Sequence, residues 1–126
     1  MKDRLVFEPS WEKAISDEDR KTITRLHEQN PIQKGVLQFT PIRAAMNHHG
    51  ALLAMVLIQN GWDEPFTVDG IPFTYTEEGR GVIAECQFRI AQVHVPAGAS
   101  MPWTFVFPKE TIRRRPLLKD WTLKHE

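Results

Sequence analysis

The chain has 126 residues, and its 16 basic and 16 acidic side chains give a formal net charge of zero. A chain of this length suits one domain with a single hydrophobic core, which we place over residues 1–126. Because the charges balance, no global field attracts a nucleic acid or an anionic membrane, and we expect no nucleic-acid partner. The single cysteine, Cys86, excludes a disulfide within the chain.

Neither a membrane-spanning segment nor a signal peptide is evident in the sequence. The longest apolar run, residues 51–58, is much shorter than the roughly 20 residues that a spanning helix needs. Residues 1–9 lack the apolar region of a signal peptide. We therefore expect a cytoplasmic protein without a transmembrane segment.

One short amphipathic helix is predicted near the N-terminus, over residues 17–28. Ser16 is a favourable N-cap, acidic residues fill the first turn, and a proline follows the segment. The apolar stripe is narrow, so we expect the helix to dock on a sheet through Ile23 and Leu26. Trp11, just before the helix, should help to anchor it.

Residues 35–108 carry short strands separated by turn residues at roughly ten-residue intervals, a pattern typical of an immunoglobulin-like antiparallel β-sandwich. In the first strand, residues 36–45, Pro41 indicates an edge position or a bulge. The second strand, residues 51–59, is apolar on both faces. This composition predicts a central strand that is covered on both sides.

Two short strands, residues 66–68 and 71–75, are predicted on either side of a glycine turn. Residues 82–90 then alternate clearly between apolar and polar side chains. After Ile90 the apolar positions shift by one residue, which requires either a bulge or a new strand. We favour a new short strand.

The last predicted strand lies between Ser100 and Glu110 and is rich in aromatic residues. It places four large side chains on one face at period two, namely Met101, Trp103, Phe105 and Phe107. Its two prolines, Pro102 and Pro108, should limit how far ladder hydrogen bonding runs. The predicted core includes Leu53, Met55, Leu57, Phe73, Val82, Cys86, Phe88, Trp103 and Phe105. The tail, residues 109–126, is too apolar for a free end and should pack back on the body near Trp11.

No constellation of residues predicts catalysis or a bound cofactor. The chain has no C-x-x-C or H-E-x-x-H spacing, and adjacent His48 and His49 should project to opposite sides. Cys86 is interpreted as an inert core thiol. The carboxylate pairs Glu77-Glu78 and Asp63-Glu64 occur in turns, where we expect solvated side chains. We therefore expect a protein that is not an enzyme and holds no metal or cofactor.

The tryptophans also suggest a carbohydrate platform. Trp103 is patterned as a core residue, however, and Trp11 and Trp121 flank structural segments. Trp62, beside the Asn60-Gly61 turn, is the tryptophan that we expect to be partly exposed.

The positive charge of the chain is concentrated in the run Arg113, Arg114 and Arg115. Two interpretations of this run stay open. The run could be a docking patch for an anionic partner, or a solvated linker between the last strand and the tail. An edge strand at Pro41 could accept a partner strand while the arginines steer an acidic segment. The three arginines are therefore our candidate partner-binding residues.

Four segments that together span nearly the whole chain resemble the SLAP domain, named for the S-layer assembly protein of Gram-positive accessory secretion systems. They are Ser10–Glu18, Ile58–Gly61, Pro102–Glu110 and Leu118–Leu123. The resemblance carries over no catalytic residues, because the matching positions are mostly apolar and structural.

The resemblance implies a non-catalytic interaction or accessory module for accessory-Sec-dependent export or assembly of surface-layer proteins. It implies a protein partner, either the accessory Sec translocase or an S-layer precursor, and a location that is cytoplasmic or peripheral at the membrane through a secretion complex. The alternative is a small-ligand-binding β-sandwich with a pocket between sheet and helix and no role in secretion.

Overall fold

A computed structural model describes residues 4–125, so residues 1–3 and 126 of the expected domain lie outside the described part. Its elements in chain order are β1 (Arg4–Leu5), α1 (Pro9–Ala14), α2 (Asp17–Gln29), β2 (Leu37–Met46), β3 (Leu52–Asn60), β4 (Phe66–Glu77), β5 (Gly81–Val95), β6 (Ala99–Phe107), a 3-10 turn (Lys109–Thr111) and β7 (Trp121–His125). The strands form two sheets in the orders β1-β6-β3-β2 and β5-β4-β7. The expected mainly-β sandwich is confirmed.

The connectivity of this sandwich has two particular features. Its strand order differs from the ABED and CFG order of an immunoglobulin constant domain. The named strand pairs are antiparallel except for β1, which lies parallel to β6.

Alternate side chains of β3 contribute to two separate cores. Those that face inward pack between the sheets: Leu52, Ala54, Val56 and Ile58. Met55 and Leu57 point the other way and are buried beneath α2, where Ile23 packs on them. Because β3 also lies between β2 and β6, it is the central, doubly covered strand that its composition predicts.

The predicted helix is present as α2, one residue longer than expected. The Ser16 side chain accepts a hydrogen bond from the Asp19 N–H at 3.0 Å, which caps its N-terminus. Ile23 is fully buried, and Leu26 packs against the same cluster, so the predicted docking contact is confirmed.

A second helix, α1, was not predicted, so the expectation of one N-terminal helix was incomplete. It begins at Pro9, a favoured residue for the first helical turn, and the Glu8 side chain caps it. A six-residue helix shows too little periodicity to be recognised and depends on docking for stability. Trp11 provides that contact, because it packs on the helix-side core and stacks on Trp103 at 5.9 Å.

Two strand predictions between residues 66 and 95 were wrong, because register shifts and a bulge let each strand continue where a break was expected. β4 is one strand, and a register shift between Asp69 and Ile71 accommodates Gly70. β5 likewise continues to Val95. Ile90 lies opposite Val68 and His94 opposite Thr67, so residues 91–93 form a bulge instead of starting a new strand.

Five of the nine predicted core residues are buried, and four are only half-buried. The buried ones are Met55, Leu57, Phe73, Phe88 and Phe105; the half-buried ones are Leu53, Val82, Cys86 and Trp103. A register shift between Tyr75 and Thr76 brings both Ile83 and Ala84 into the core, and Val82 is left only half-buried. Trp103 remains accessible because β1 pairs only with the start of β6.

Pro102 lies inside β6 and does not limit its ladder. The Arg4 and Val6 N–H groups donate to the carbonyls of Gly98 and Ser100, so even-numbered residues of β6 direct their backbone groups toward β1. The N–H that Pro102 lacks would therefore point away from β3.

The tail packs back on the body, as expected, and its last residues form β7 beside β4. The predicted neighbour was wrong. Trp121 stacks on Tyr75 at 5.3 Å in the sheet β5-β4-β7, whereas Trp11 packs on the outer face of the other sheet. Pairing with the free side of β4 determines this position.

Candidate functional site

All three arginines lie in residues 112–120, which we call the C-terminal strap. The strap begins beside β5, where Ile112 forms a bridge with Ala84 and the Arg113 N–H donates to the Ile83 carbonyl at 2.7 Å. It then crosses the β4–β5 turn and continues into β7 on the other side of β4. The strap is thus a fixed crossing, held on both sides of β4.

The three arginine side chains are exposed but differ in their contacts. Arg113 forms an ion pair with Glu85 at 2.8 Å, and the Arg114 guanidinium donates to the Arg80 carbonyl at 2.9 Å. The Arg115 side chain makes no hydrogen bond or ion pair within residues 4–125. Arg113 and Arg114 therefore help to hold the strap, and Arg115 is the charge that stays available to a partner.

The predicted edge at Pro41 is present, but it does not belong to the sheet beside which the strap starts. β2 is an edge strand, and its pairing with β3 shifts register between Pro41 and Arg43. β2 packs on the side of β7, however, whereas the strap starts beside β5 at the opposite edge of the second sheet. A partner strand added to β2 would therefore extend the sheet that the strap does not cross, so the two predicted features lie on different sheets.

The strap is fastened by Glu77, which the sequence placed in a solvated turn and which is in fact only 3% exposed. Its carboxylate accepts hydrogen bonds from the N–H groups of Leu117 at 3.0 Å and Leu118 at 2.9 Å. The Tyr75 hydroxyl also donates to it at 2.9 Å, and Arg80 forms an ion pair with it. A buried charge needs such partners, and here they come from three separate segments.

This network determines the protonation states of its members. Burial is the largest influence on Glu77 and raises its pKa, but the hydrogen bonds from Leu117, Leu118, Tyr75 and Arg80 together outweigh it, and the pKa lies below the ordinary 4.5. Burial, together with the Glu77 carboxylate, raises the pKa of Tyr75, so its phenol stays protonated and donates.

The stability of the Glu77→Gln variant should depend less on pH than the stability of the wild type. Because folding lowers the pKa of Glu77 below 4.5, the carboxylate stabilises the fold fully above pH 4.5 and loses this effect as the pH falls through the folded-state pKa. Denaturant melts of both proteins from about pH 7 to about pH 3 should show a stability difference that shrinks with acid. A difference that stays constant over this range would contradict the role of Glu77.

The residues with potential metal or thiol chemistry lie apart. No group of three or more His, Cys, Asp or Glu side chains within residues 4–125 is arranged to hold a metal ion. Burial raises the pKa of the half-buried Cys86 thiol, with a smaller contribution from Glu110, which disfavours the reactive thiolate. His48 and His49 do not project to opposite sides, since their rings lie 3.8 Å apart in a turn.

One nucleophile–base contact was missed by the sequence analysis. The Ser100 hydroxyl lies 3.0 Å from Nδ1 of His27, a contact between residues that are 73 positions apart. Ser100 is fully buried, so a substrate could not reach it. The pair therefore joins α2 to β6 and is not a candidate for catalysis.

The alternative of a ligand pocket between helix and sheet corresponds to a groove of about 540 Å³. Trp11 and Ile15 line it on the helix side, and Arg43, Met55 and Thr104 line it on the sheet. The groove is open to solvent instead of enclosed, so it would leave much of a small ligand exposed.

None of the helices in the described part of the chain is long and apolar enough to cross a membrane.

Comparison with known proteins assigns the chain to a family. The accessory-Sec SLAP domain model matches residues 5–126, which is essentially the whole chain and includes all four segments that suggested the resemblance. No curated protein and no solved structure matches the chain. On the strength of the match over residues 5–126, the chain belongs to the SLAP domain family.

Proposed function

We propose that this protein is a non-catalytic interaction module that serves accessory-Sec-dependent export or assembly of surface-layer proteins. The family match over residues 5–126 is the observation that carries this proposal, because the family name links the domain to accessory Sec. The proposed partner is a protein, either the accessory Sec translocase or an S-layer precursor.

The way in which the C-terminal strap is held supports a docking role for Arg115. Glu77 holds Leu117 and Leu118 on one side of Arg115, and the Arg113 N–H is bonded to β5 on the other. An exposed cation on a backbone that is fixed at both ends loses little freedom when it pairs with an acidic segment. Its charge would mainly accelerate and orient the encounter.

Affinity capture from the native cell would test the proposal. The bait proteins are the wild type, Arg115→Ala and, as a matched control, Lys21→Ala, which removes one exposed cation from α2. We expect the wild type and the control to recover a translocase component or an S-layer precursor, and Arg115→Ala to recover about threefold to tenfold less.

A triple Arg113, Arg114 and Arg115 to Ala variant should lose more, but its thermal melt must accompany the capture because Arg113 and Arg114 also hold the strap. Equal capture by Arg115→Ala and the control would refute the docking role of Arg115. Failure of the wild type to recover any secretion component would refute the export role itself.

A further inference from the structure

Trp62 lies between two open grooves at the end of the sandwich opposite the C-terminal strap. It is the second residue after the end of β3, whereas the strap crosses the turn after β4. One groove, of about 610 Å³, is lined by Gly35, Trp62, Asp63 and Glu64. The other, of about 370 Å³, is lined by Trp62 together with Lys34 and Gly98, among others. The half-buried indole is therefore reachable from both grooves.

The turn that carries Trp62 is built rigidly around Asn60, which is fully buried. The Asn60 side-chain amide donates to the carbonyls of Glu64 at 3.0 Å, Val95 at 3.0 Å and Pro96 at 3.3 Å. Its Oδ1 accepts a hydrogen bond from the Trp62 N–H at 2.9 Å. One side chain thus fixes both ends of the turn that presents the indole.

Gly61 adds a second restraint on the same turn. Its N–H donates to the Val36 carbonyl at 2.8 Å, and its carbonyl accepts from the Gly35 N–H at 2.6 Å. A Cβ at Gly61 would lie 1.8 Å from the Gln33 carbonyl oxygen, so a larger residue does not fit without displacement of the backbone. The indole and its neighbours are therefore preorganised, which lowers the entropic cost of binding.

The charges beside the indole indicate what kind of group fits there. Asp63 and Glu64 are exposed, and neither carboxylate makes a hydrogen bond or ion pair within residues 4–125. Across the second groove, Lys34 contributes one positive charge against these two negative ones. Unpaired carboxylates next to an accessible indole suit a cation, which gains both ion pairing and attraction to the aromatic face.

We propose that Trp62, Asp63 and Glu64 bind an arginine side chain on an extended basic segment of a partner protein. A guanidinium is favoured over an ammonium because it stacks flat on an indole while its N–H groups reach a carboxylate in the same plane. This surface is separate from the C-terminal strap, and the inference does not depend on the export role.

NMR of the indole Nε1–H groups of the full chain would test this site. The four tryptophans give four signals, and Trp62→Phe identifies that of Trp62. Addition of the peptide acetyl-Gly-Arg-Gly-Arg-Gly-amide should shift the Trp62 signal in a saturable way and leave the other three in place. The peptide with glutamine in place of arginine should cause no shift.

A double variant, Asp63→Asn with Glu64→Gln, should bind the arginine peptide about tenfold more weakly. The matched control is Glu12→Gln with Glu28→Gln, which removes two exposed carboxylates elsewhere and should stay within about twofold of the wild type. Unshifted signals of the other three tryptophans would show that both variants are folded. Equal affinity of the two variants, an equal response to the glutamine peptide, or a response to maltotriose but not to the arginine peptide would each overturn the assignment.

Discussion

Replacement of Phe105 with alanine should lower the free energy of unfolding by about 3 to 5 kcal/mol. Phe105 is 0% exposed and lies on the inner face of β6, where it joins the two sheets. Its ring lies 4.6 Å from that of Phe73, 5.4 Å from that of Phe88 and 6.4 Å from that of Phe39. Alanine would leave a cavity among rigid aromatic rings that cannot close around it.

The neighbouring residue gives a matched control for this experiment. Val106 belongs to the same strand but is 45% exposed, so Val106→Ala should cost no more than about 1 kcal/mol. Urea denaturation of the three proteins would measure the difference. A loss for Phe105→Ala below about 1 kcal/mol would mean that β6 does not contribute this side chain to the core.

Replacement of Glu77 with glutamine should destabilise the fold by about 3 kcal/mol at neutral pH, although the two side chains have nearly the same shape. The amide carries one acceptor oxygen instead of two. Its N–H₂ group would therefore face donors in either orientation, Arg80 and the Leu117 N–H at the Oε1 position, or the Leu117 and Leu118 N–H groups and the Tyr75 hydroxyl at the Oε2 position. Arg80 would lose its ion-pair partner. The expected effect therefore comes from unsatisfied buried donors and not from lost volume.

Glu78→Gln is the control for this change, because Glu78 is adjacent but exposed and should alter stability by less than about 0.5 kcal/mol. Hydrogen exchange of the β7 amides should also become faster in Glu77→Gln, since the strap that leads into β7 is no longer fastened. Equal melts for the two variants would show that the Glu77 network does not hold the strap.

The sequence by itself determined the elements with strong local signals. Alternation of apolar residues and turn chemistry predict the strands of a sandwich, and Ser16 with Ile23 and Leu26 predicts α2 and its docking face. The apolar composition of β3 predicts a strand covered on both sides, and the structure confirms it. In each case the signal lies within a few neighbouring residues, so no knowledge of the rest of the chain is needed.

Only the tertiary structure decided the features that depend on distant segments. The bulge at residues 91–93 and the register shift that buries Ile83 result from pairing with β4, which a local pattern does not contain. Glu77 and Glu78 are the same residue type at adjacent positions, yet it is the Glu77 side chain that bonds to Tyr75, Arg80 and the strap, whereas the Glu78 side chain is exposed. The same reason places Pro41 and the start of the strap in different sheets. It also makes the turn of Trp62, Asp63 and Glu64 rigid, because Asn60 bonds to the distant carbonyls of Val95 and Pro96.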